Sequence, residues 1–233
     1  MLERGLAETR QKAQALILAG HVLVNDQKVE KGGALVGLDA RVRLLGEPLK
    51  YVSRGGLKLA HALDSFNLPV KGMVALDVGA STGGFTDCLL QRGAERVYAL
   101  DVGHGQLHYK LRQDPRVVSI EKCNARFPFE LPEQVDLVTI DVSFISVTLV
   151  VPPALEHLKA GCHLIVLVKP QFEARRGEVG QSGVVKAPRI HAATLGRAIV
   201  WAVGHGLRLR NLCPSPILGD AGNREFFLLL QKP

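Results

Sequence analysis

Cysteine is scarce and scattered: Cys88, Cys123, Cys162 and Cys213 form no C-x-x-C pair, and no histidine stands at metal-ligand spacing from them. That pattern excludes a zinc site and a disulfide framework, so no metal is expected and the thiols read as reduced groups of a cytoplasmic protein. Long apolar runs are missing too. The longest uncharged stretch, Val142 to Leu155, falls short of the ~18 to 20 residues a spanning helix needs and contains Pro152-Pro153. No transmembrane helix or signal peptide is expected. Internal repeats and low-complexity tracts are absent, and so is the G-x-G-x-x-G fingerprint with which dinucleotide enzymes cradle a pyrophosphate.

What the chain does have centres on residues 73–84, MVALDVGASTGG, where an apolar run ends at Asp77 and breaks into a glycine-rich turn ahead of a helical pattern from Phe85 to Gln91. The run Val97 to Leu100 then closes on Asp101, an acid placed to accept hydrogen bonds from ribose hydroxyls. Ser81 fills the place of the second fingerprint glycine, so the loop suits a cofactor without a pyrophosphate, S-adenosylmethionine above all. At 233 residues and 47% hydrophobic the chain can bury one full core and carry a small appendage. Its net charge of +7 points to a polyanion such as nucleic acid or to an acidic membrane surface, although plain solubility charge explains it as well.

Ahead of that core, Thr9 is placed to cap a helix carrying Ala13, Leu16 and Ile17 and stopping at Gly20. Residues His21 to Val24, Lys28-Val29 and Arg41 to Leu45 read as short strands, with a turn at Asn25-Asp26. Residues 48–52 read as a linker between a module at 1–47 and a domain at 53–233, whose first helix Ser53 caps, with Leu57, Ala60 and Leu63 on one face and Lys58 on another. Strand and helix then alternate: strand to Asp101, helix near Gln106 to Arg112, strand Val117 to Ile120, strand Val135 to Asp141, helix near Val147 to Lys159, strand Cys162 to Lys169. Residues 170–188 have no apolar period and read as a basic lid, followed by a helix from Arg189 to Val203 and two closing strands near 207–213 and 224–230. The expected fold is α/β: a seven-stranded, Rossmann-like class I methyltransferase domain with a closing antiparallel hairpin.

Lys58, Asp141, Lys169 and Glu225 lie where such a sheet presents side chains to a ligand. Two lysines and two carboxylates suit methyl transfer to an alcohol, which needs a base and an oxygen held in line with the S–CH3 bond. Taken singly, each has an ordinary reading: a helix cap, a strand-end charge, a solvated lysine, a partner of Arg224.

The strings around the four, S-R-G-G-L-K, T-I-D-V-S-F, V-K-P-Q-F-E and G-N-R-E-F-F, give residues 53–233 a resemblance to the FtsJ-like ribose 2′-O-methyltransferases. Thr9 to Ala13 with Gly20 to Asn25 resembles the alpha-L RNA-binding module named after ribosomal small-subunit protein four, here an α+β copy expected to be shortened at its N-terminus. Together they make the chain similar to the TlyA family of haemolysin-named rRNA methyltransferases. The resemblance implies that Lys58, Asp141, Lys169 and Glu225 are catalytic, and that Asp77, Gly79, Ser81, Thr82, Gly83, Asp101 and Asn124 bind S-adenosylmethionine. Arg4, Arg10, Lys12, Arg54, Arg175, Arg176, Lys186 and Arg189 are the expected RNA contacts, and ribosomal RNA, at a cytidine, or a ribosomal subunit is the expected partner. Two other classes compete: a membrane-active haemolysin, which the lack of a spanning or strongly amphipathic basic segment disfavours, and a catalytically idle RNA-binding assembly factor, which would have no reason to keep all four residues.

Overall fold

The structure, a computed structural model, describes the chain apart from residues 26, 38–39, 41, 46–49, 176, 181 and 220–221. It divides into two units, Met1–Leu49 and Lys50–Pro233. In the first, the Thr9 hydroxyl accepts the Lys12 N–H at 3.1 Å and so caps α1 (Arg10–Leu18), while Gly20, at φ +68°, ends the turn that follows. Strand β1 (Val22–Val24) pairs antiparallel with β2 (Gln27–Lys28) and β3 (Val42–Leu44). Asp26 of the expected turn and Arg41 of the expected strand lie outside the described residues. The core here is small, with Ala13, Val22, Leu23 and Ala40 buried.

The second unit is built on seven strands: β4 (Val74–Val78), β5 (Arg96–Leu100), β6 (Val117–Ile120), β7 (Val135–Ile140), β8 (Leu158–Val168), β9 (Arg208–Pro214) and β10 (Phe226–Gln231). They run in the order β6-β5-β4-β7-β8-β10-β9, with β10 antiparallel to β8 and β9 and the rest parallel. Such a sheet needs cover on both faces, which is why the central strands read as unbroken apolar runs. On β4 the pleat sends Ala75 to the side of Leu59, Leu63 and Leu89, and Leu76 and Val78 to the side of Val151, Ala154 and Ala198. Helices α2 (Gly55–Ser65) and α3 (Gly84–Gln91) thus cover one face, and α5 (Val151–Glu156) and α7 (Pro188–Gly204) the other; α4 (Tyr109–Arg112) and α6 (Pro170–Glu173) are single turns. Each buried Leu or Phe contributes roughly 1.5 to 3 kcal/mol, so the two apolar layers fix which strand ends share an edge.

Three local expectations change. Ser53 does not cap α2: its carbonyl accepts the Gly56 N–H at 3.2 Å, Arg54 takes the cap position, and the Ser53 hydroxyl points at Gly84 of α3. The helix expected over 147–159 shrinks to a 3-10 turn at Val147–Leu149 and α5, because Val135 already pairs with Leu158 and draws Lys159 into β8. Gly161, at φ +77°, then carries a register shift within β8. Of the helix expected from Gln106 to Arg112 only α4 forms, started by His108, whose ring accepts the Lys110 N–H at 3.2 Å.

The expected lid is a tied segment. Within 170–188, α6 forms and the Glu173 carboxylate accepts the Ser146 hydroxyl at 2.7 Å and the Val147 N–H at 2.8 Å. Further along, Asn223 accepts the Val185 N–H and donates to the Gly183 carbonyl, both at 3.0 Å, and His191 bonds the Val185 carbonyl at 2.8 Å. Side chains from distant parts of the chain replace the apolar period that the segment lacks.

Candidate active site

The carboxyl ends of β4, β7 and β8 and the start of β10 share one edge of the sheet, and α2 passes beside it. Asp141 follows β7, held by its N–H to the Val78 carbonyl at 2.9 Å; Lys169 follows β8 and caps α6; Glu225 immediately precedes β10. Lys58 reaches in from α2. These four line a cavity of about 260 Å³ together with Arg54, Gly79, Ser81, Thr82 and Ser143. Lys58 Nζ donates to Glu225 Oε2 at 2.6 Å, with only 12% and 3% of the two side chains exposed. Lys169 Nζ lies 2.6 Å from Asp141 Oδ1 and donates to Ser143 Oγ at 2.9 Å.

Charges this well buried are costly unless paired, and each lysine has its carboxylate. The pairs differ in geometry. Asp141 Oδ1 is buried without a directional hydrogen bond, so its contact with Lys169 is an ion pair and the directed bond goes to Ser143.

The glycine-rich turn is pressed against this set. Gly79 sits at φ +84°, and a Cβ there would fall 2.3 Å from the Asp141 carbonyl oxygen, so only glycine lets the turns after β4 and β7 touch. Ser81, at φ +48°, opens toward a second, smaller cavity beyond Ala80, lined by Asp101, Gly103, Gln106 and Glu121. The Asp101 carboxylate accepts the Ser81 N–H at 2.8 Å and the Gly103 N–H at 2.7 Å and faces this space. Gly83, at φ +93°, starts α3.

Three of the expected cofactor residues line neither cavity, Gly83 because it faces Leu107 and Leu111. Asp77 is wholly buried under α3, accepting from Thr86 at 2.7 Å and Thr139 at 3.0 Å, and lines neither cavity. Burial pushes its carboxyl up to about 7 against the pull of the two threonine hydrogen bonds, and the charge on Asp141 adds a smaller push. Asn124 is exposed, its side chain accepting the Arg126 N–H at 3.1 Å, and it too lines neither cavity.

Of the expected RNA contacts, Arg54 is exposed at the cleft, and Arg175, Lys186 and Arg189 are exposed on and beside the tied segment; Arg176 lies outside the described residues. Arg4, Arg10 and Lys12 are exposed on the first unit, Lys12 within 3.4 Å of Glu8. Sequence reasoning missed Ser143, Glu173 and Asn223, although all three stand inside strings it had singled out, D-V-S-F, K-P-Q-F-E and G-N-R-E. It also passed over Phe144, which is 91% exposed at φ +63°, an unusual place for an aromatic ring.

Comparison with known proteins agrees with this architecture. A model of the FtsJ-like methyltransferase family matches residues 51–232, and one of the S4 domain matches residues 1–42. The 16S/23S rRNA (cytidine-2′-O)-methyltransferase TlyA of Mycobacterium tuberculosis is 42% identical over 99% of this chain and 87% of its own. The solved structure of a Streptococcus thermophilus protein named as a hemolysin is 45% identical, with a TM-score of 0.80 over 99% of this chain and 85% of that one. An S-adenosylmethionine-dependent methyltransferase from Mesorhizobium loti shares the fold alone, at 16% identity and a TM-score of 0.55 over 74% of this chain and 96% of its own. Hemolysin is a name carried by some relatives, and among the described residues no helix is long and apolar enough to cross a membrane. The chain joins an S4 domain to a methyltransferase fold and belongs to the FtsJ-like methyltransferase family, in the TlyA group.

Proposed function

We propose that this protein moves the methyl group of S-adenosylmethionine to the 2′-hydroxyl of a cytidine ribose in ribosomal RNA. The observation that carries the reading is the convergence of Lys58, Asp141, Lys169 and Glu225 on one cleft against the glycine-rich turn. The residues fit the cofactor: a backbone stripped of side chains at Gly79, and a carboxylate at Asp101 with capacity left after accepting two N–H groups. Gly79, Ser81, Thr82 and Asp101 would hold it, with Gly83 turning the chain into α3, Asp77 bracing the turn from beneath and Asn124 at the margin. Bound there, S-adenosylmethionine supplies an electrophilic methyl on a sulfonium.

The chain's own groups do the rest. Lys169, once its ammonium has given a proton to solvent, receives the proton of the 2′-hydroxyl and orients the oxygen, Asp141 balances the ammonium that forms again, and the Lys58–Glu225 pair closes the far wall of the cleft and orders the start of β10. Arg54, Arg175, Arg176, Lys186 and Arg189 take RNA phosphates, as do Arg4, Arg10 and Lys12 of the S4 domain. In domain terms, 1–47 recruits RNA, 48–52 links, and 53–233 catalyses, on ribosomal subunits or their RNA in the cytoplasm. The test is transfer of labelled methyl from S-adenosylmethionine to purified rRNA and subunits, with the product mapped by resistance of the modified ribose to alkaline cleavage. A block at a single cytidine is expected; label on a base, or none on any rRNA, would overturn the reading.

A further inference from the structure

The geometry points to Ser143 as a fifth member of the site, a positioning residue that aims the Lys169 nitrogen; this rests on the methyl-transfer reading above. The neighbours of Lys169 divide their work. Asp141 Oδ1 is close, at 2.6 Å, but off the hydrogen-bond direction, and Coulomb attraction has no preferred angle. Ser143 Oγ takes the directed bond at 2.9 Å and lines the same cavity. A lysine side chain has four rotatable torsions and a tetrahedral nitrogen, so a charge beside it fixes where the nitrogen sits and not where its remaining positions point. One N–H tied to Ser143, with the carboxylate on another side, leaves a defined position of the nitrogen for the cleft. A hydroxyl can do this without adding the negative charge that would hold the lysine's proton in place.

The backbone is built to keep this pair in register. Phe144, directly after Ser143, turns the chain through the left-handed region at φ +63°. Three residues past Ser143, the Ser146 hydroxyl and the Val147 N–H bind the Glu173 carboxylate at 2.7 and 2.8 Å. Glu173 lies on α6, the turn that Lys169 itself caps. The segment bearing Ser143 and the segment bearing Lys169 are therefore clamped together close behind the two side chains, and the 2.9 Å contact is a consequence of that clamp.

The experiment compares Ser143→Ala and Ser143→Thr with the wild type in single-turnover methyl transfer, alongside cofactor and RNA affinity, thermal unfolding, and the exchange rate of the Lys169 Nζ protons by heteronuclear NMR. The Ala variant should lose roughly 10- to 100-fold in rate, the loss expected for one hydrogen bond to a charged group. Both affinities and the melting temperature should stay at wild-type values. Thr, which keeps the hydroxyl, should recover most of the rate, and Nζ proton exchange should be faster in the Ala variant alone. An Ala variant at wild-type rate, or a Thr variant as slow as Ala at unchanged melting temperature, would overturn the assignment. A wild type that methylates no RNA would overturn the functional reading instead, and the NMR comparison would still decide whether Ser143 holds Lys169.

Discussion

Two lysine–carboxylate pairs of the same 2.6 Å length stand in one cleft, and they are built for different work. Lys58–Glu225 is closed: a directed hydrogen bond, a carboxylate 3% exposed, and Gly219 so near that a Cβ there would lie 2.1 Å from Glu225 Oε1. Two residues upstream, Asn223 is clamped to the chain at Gly183 and Val185. Lys169–Asp141 is open: the carboxylate is 20% exposed, its buried oxygen lacks a directed bond, and the lysine's own directed bond goes to Ser143. Equal distance therefore says little about role. The closed pair is joined by a directed bond away from solvent and acts as an anchor between α2 and β10, whereas the open pair leaves its carboxylate partly exposed to the cleft.

The comparison breaks most visibly at Lys169. Lys169→Ala should lower the methyl-transfer rate by ~10²- to 10⁴-fold, the usual contribution of a general base, with cofactor affinity near wild type. Lys169→Arg should fail as well, because a guanidinium does not give up its proton at working pH. Single-turnover rates decide it: an Arg variant with most of the wild-type rate would make Lys169 an electrostatic or positioning group. The closed pair should answer differently. Glu225→Gln leaves the Lys58 ammonium, 12% exposed, without its countercharge, which should cost about 3 kcal/mol of stability in urea titrations in addition to rate. Adding Lys58→Met should restore part of the stability and none of the rate, whereas a stability loss under about 0.5 kcal/mol for the single change would remove the anchor from the comparison.

Much of this was legible in the sequence, and the part that was not has a common cause. The strand-turn-helix at 73–91 and the strand ends at Asp141 and Lys169 follow from apolar runs that close on an acid or a lysine, because a parallel sheet buried on both faces writes itself as such runs, while Lys58 on α2 and Glu225 ahead of β10 were legible through the strings around them. Asp77 ends an apolar run as Asp101 and Asp141 do, but the pleat turns it under α3 toward Thr86 and Thr139, and alternation does not say which strand-end acid faces a cavity. The tied segment at 170–188 was invisible because its order comes from Glu173, Asn223 and His191 reaching across long sequence distances. Ser143 was hidden by its ordinary residue type. A serine beside a strand-end acid means something only once the lysine 26 residues on is seen within reach.

Asp101 sharpens the contrast from the cofactor side, since its carboxylate serves the loop and the cavity together. Asp101→Ala removes a charge-assisted hydrogen bond worth roughly 1.5 to 3 kcal/mol, so calorimetry should show S-adenosylmethionine bound about 10- to 100-fold more weakly. Unchanged affinity, or tight NAD binding by the wild type, would overturn the cofactor assignment.

The smallest effect is expected at Asp77, an acid buried against threonines. Asp77 is fully buried and meets the hydroxyls of Thr86 and Thr139 and the Thr86 backbone N–H, and its carboxyl is pushed up to about 7 by desolvation, against an unfolded value of about 3.9. A raised folded value means that the native state holds this proton where the unfolded chain has already lost it. The stability from that difference is complete below about pH 4 and drains away as pH rises through about 7. Between pH 6 and 8 the wild type should lose on the order of 1 kcal/mol relative to Asp77→Asn, which cannot ionise and keeps a carbonyl for one of the threonines. Urea titrations of both proteins across that range measure the difference directly. A difference that stays flat with pH would mean that Asp77 is ionised throughout, held by Thr86 and Thr139 alone, and would make it a third charged strand end beside the two pairs.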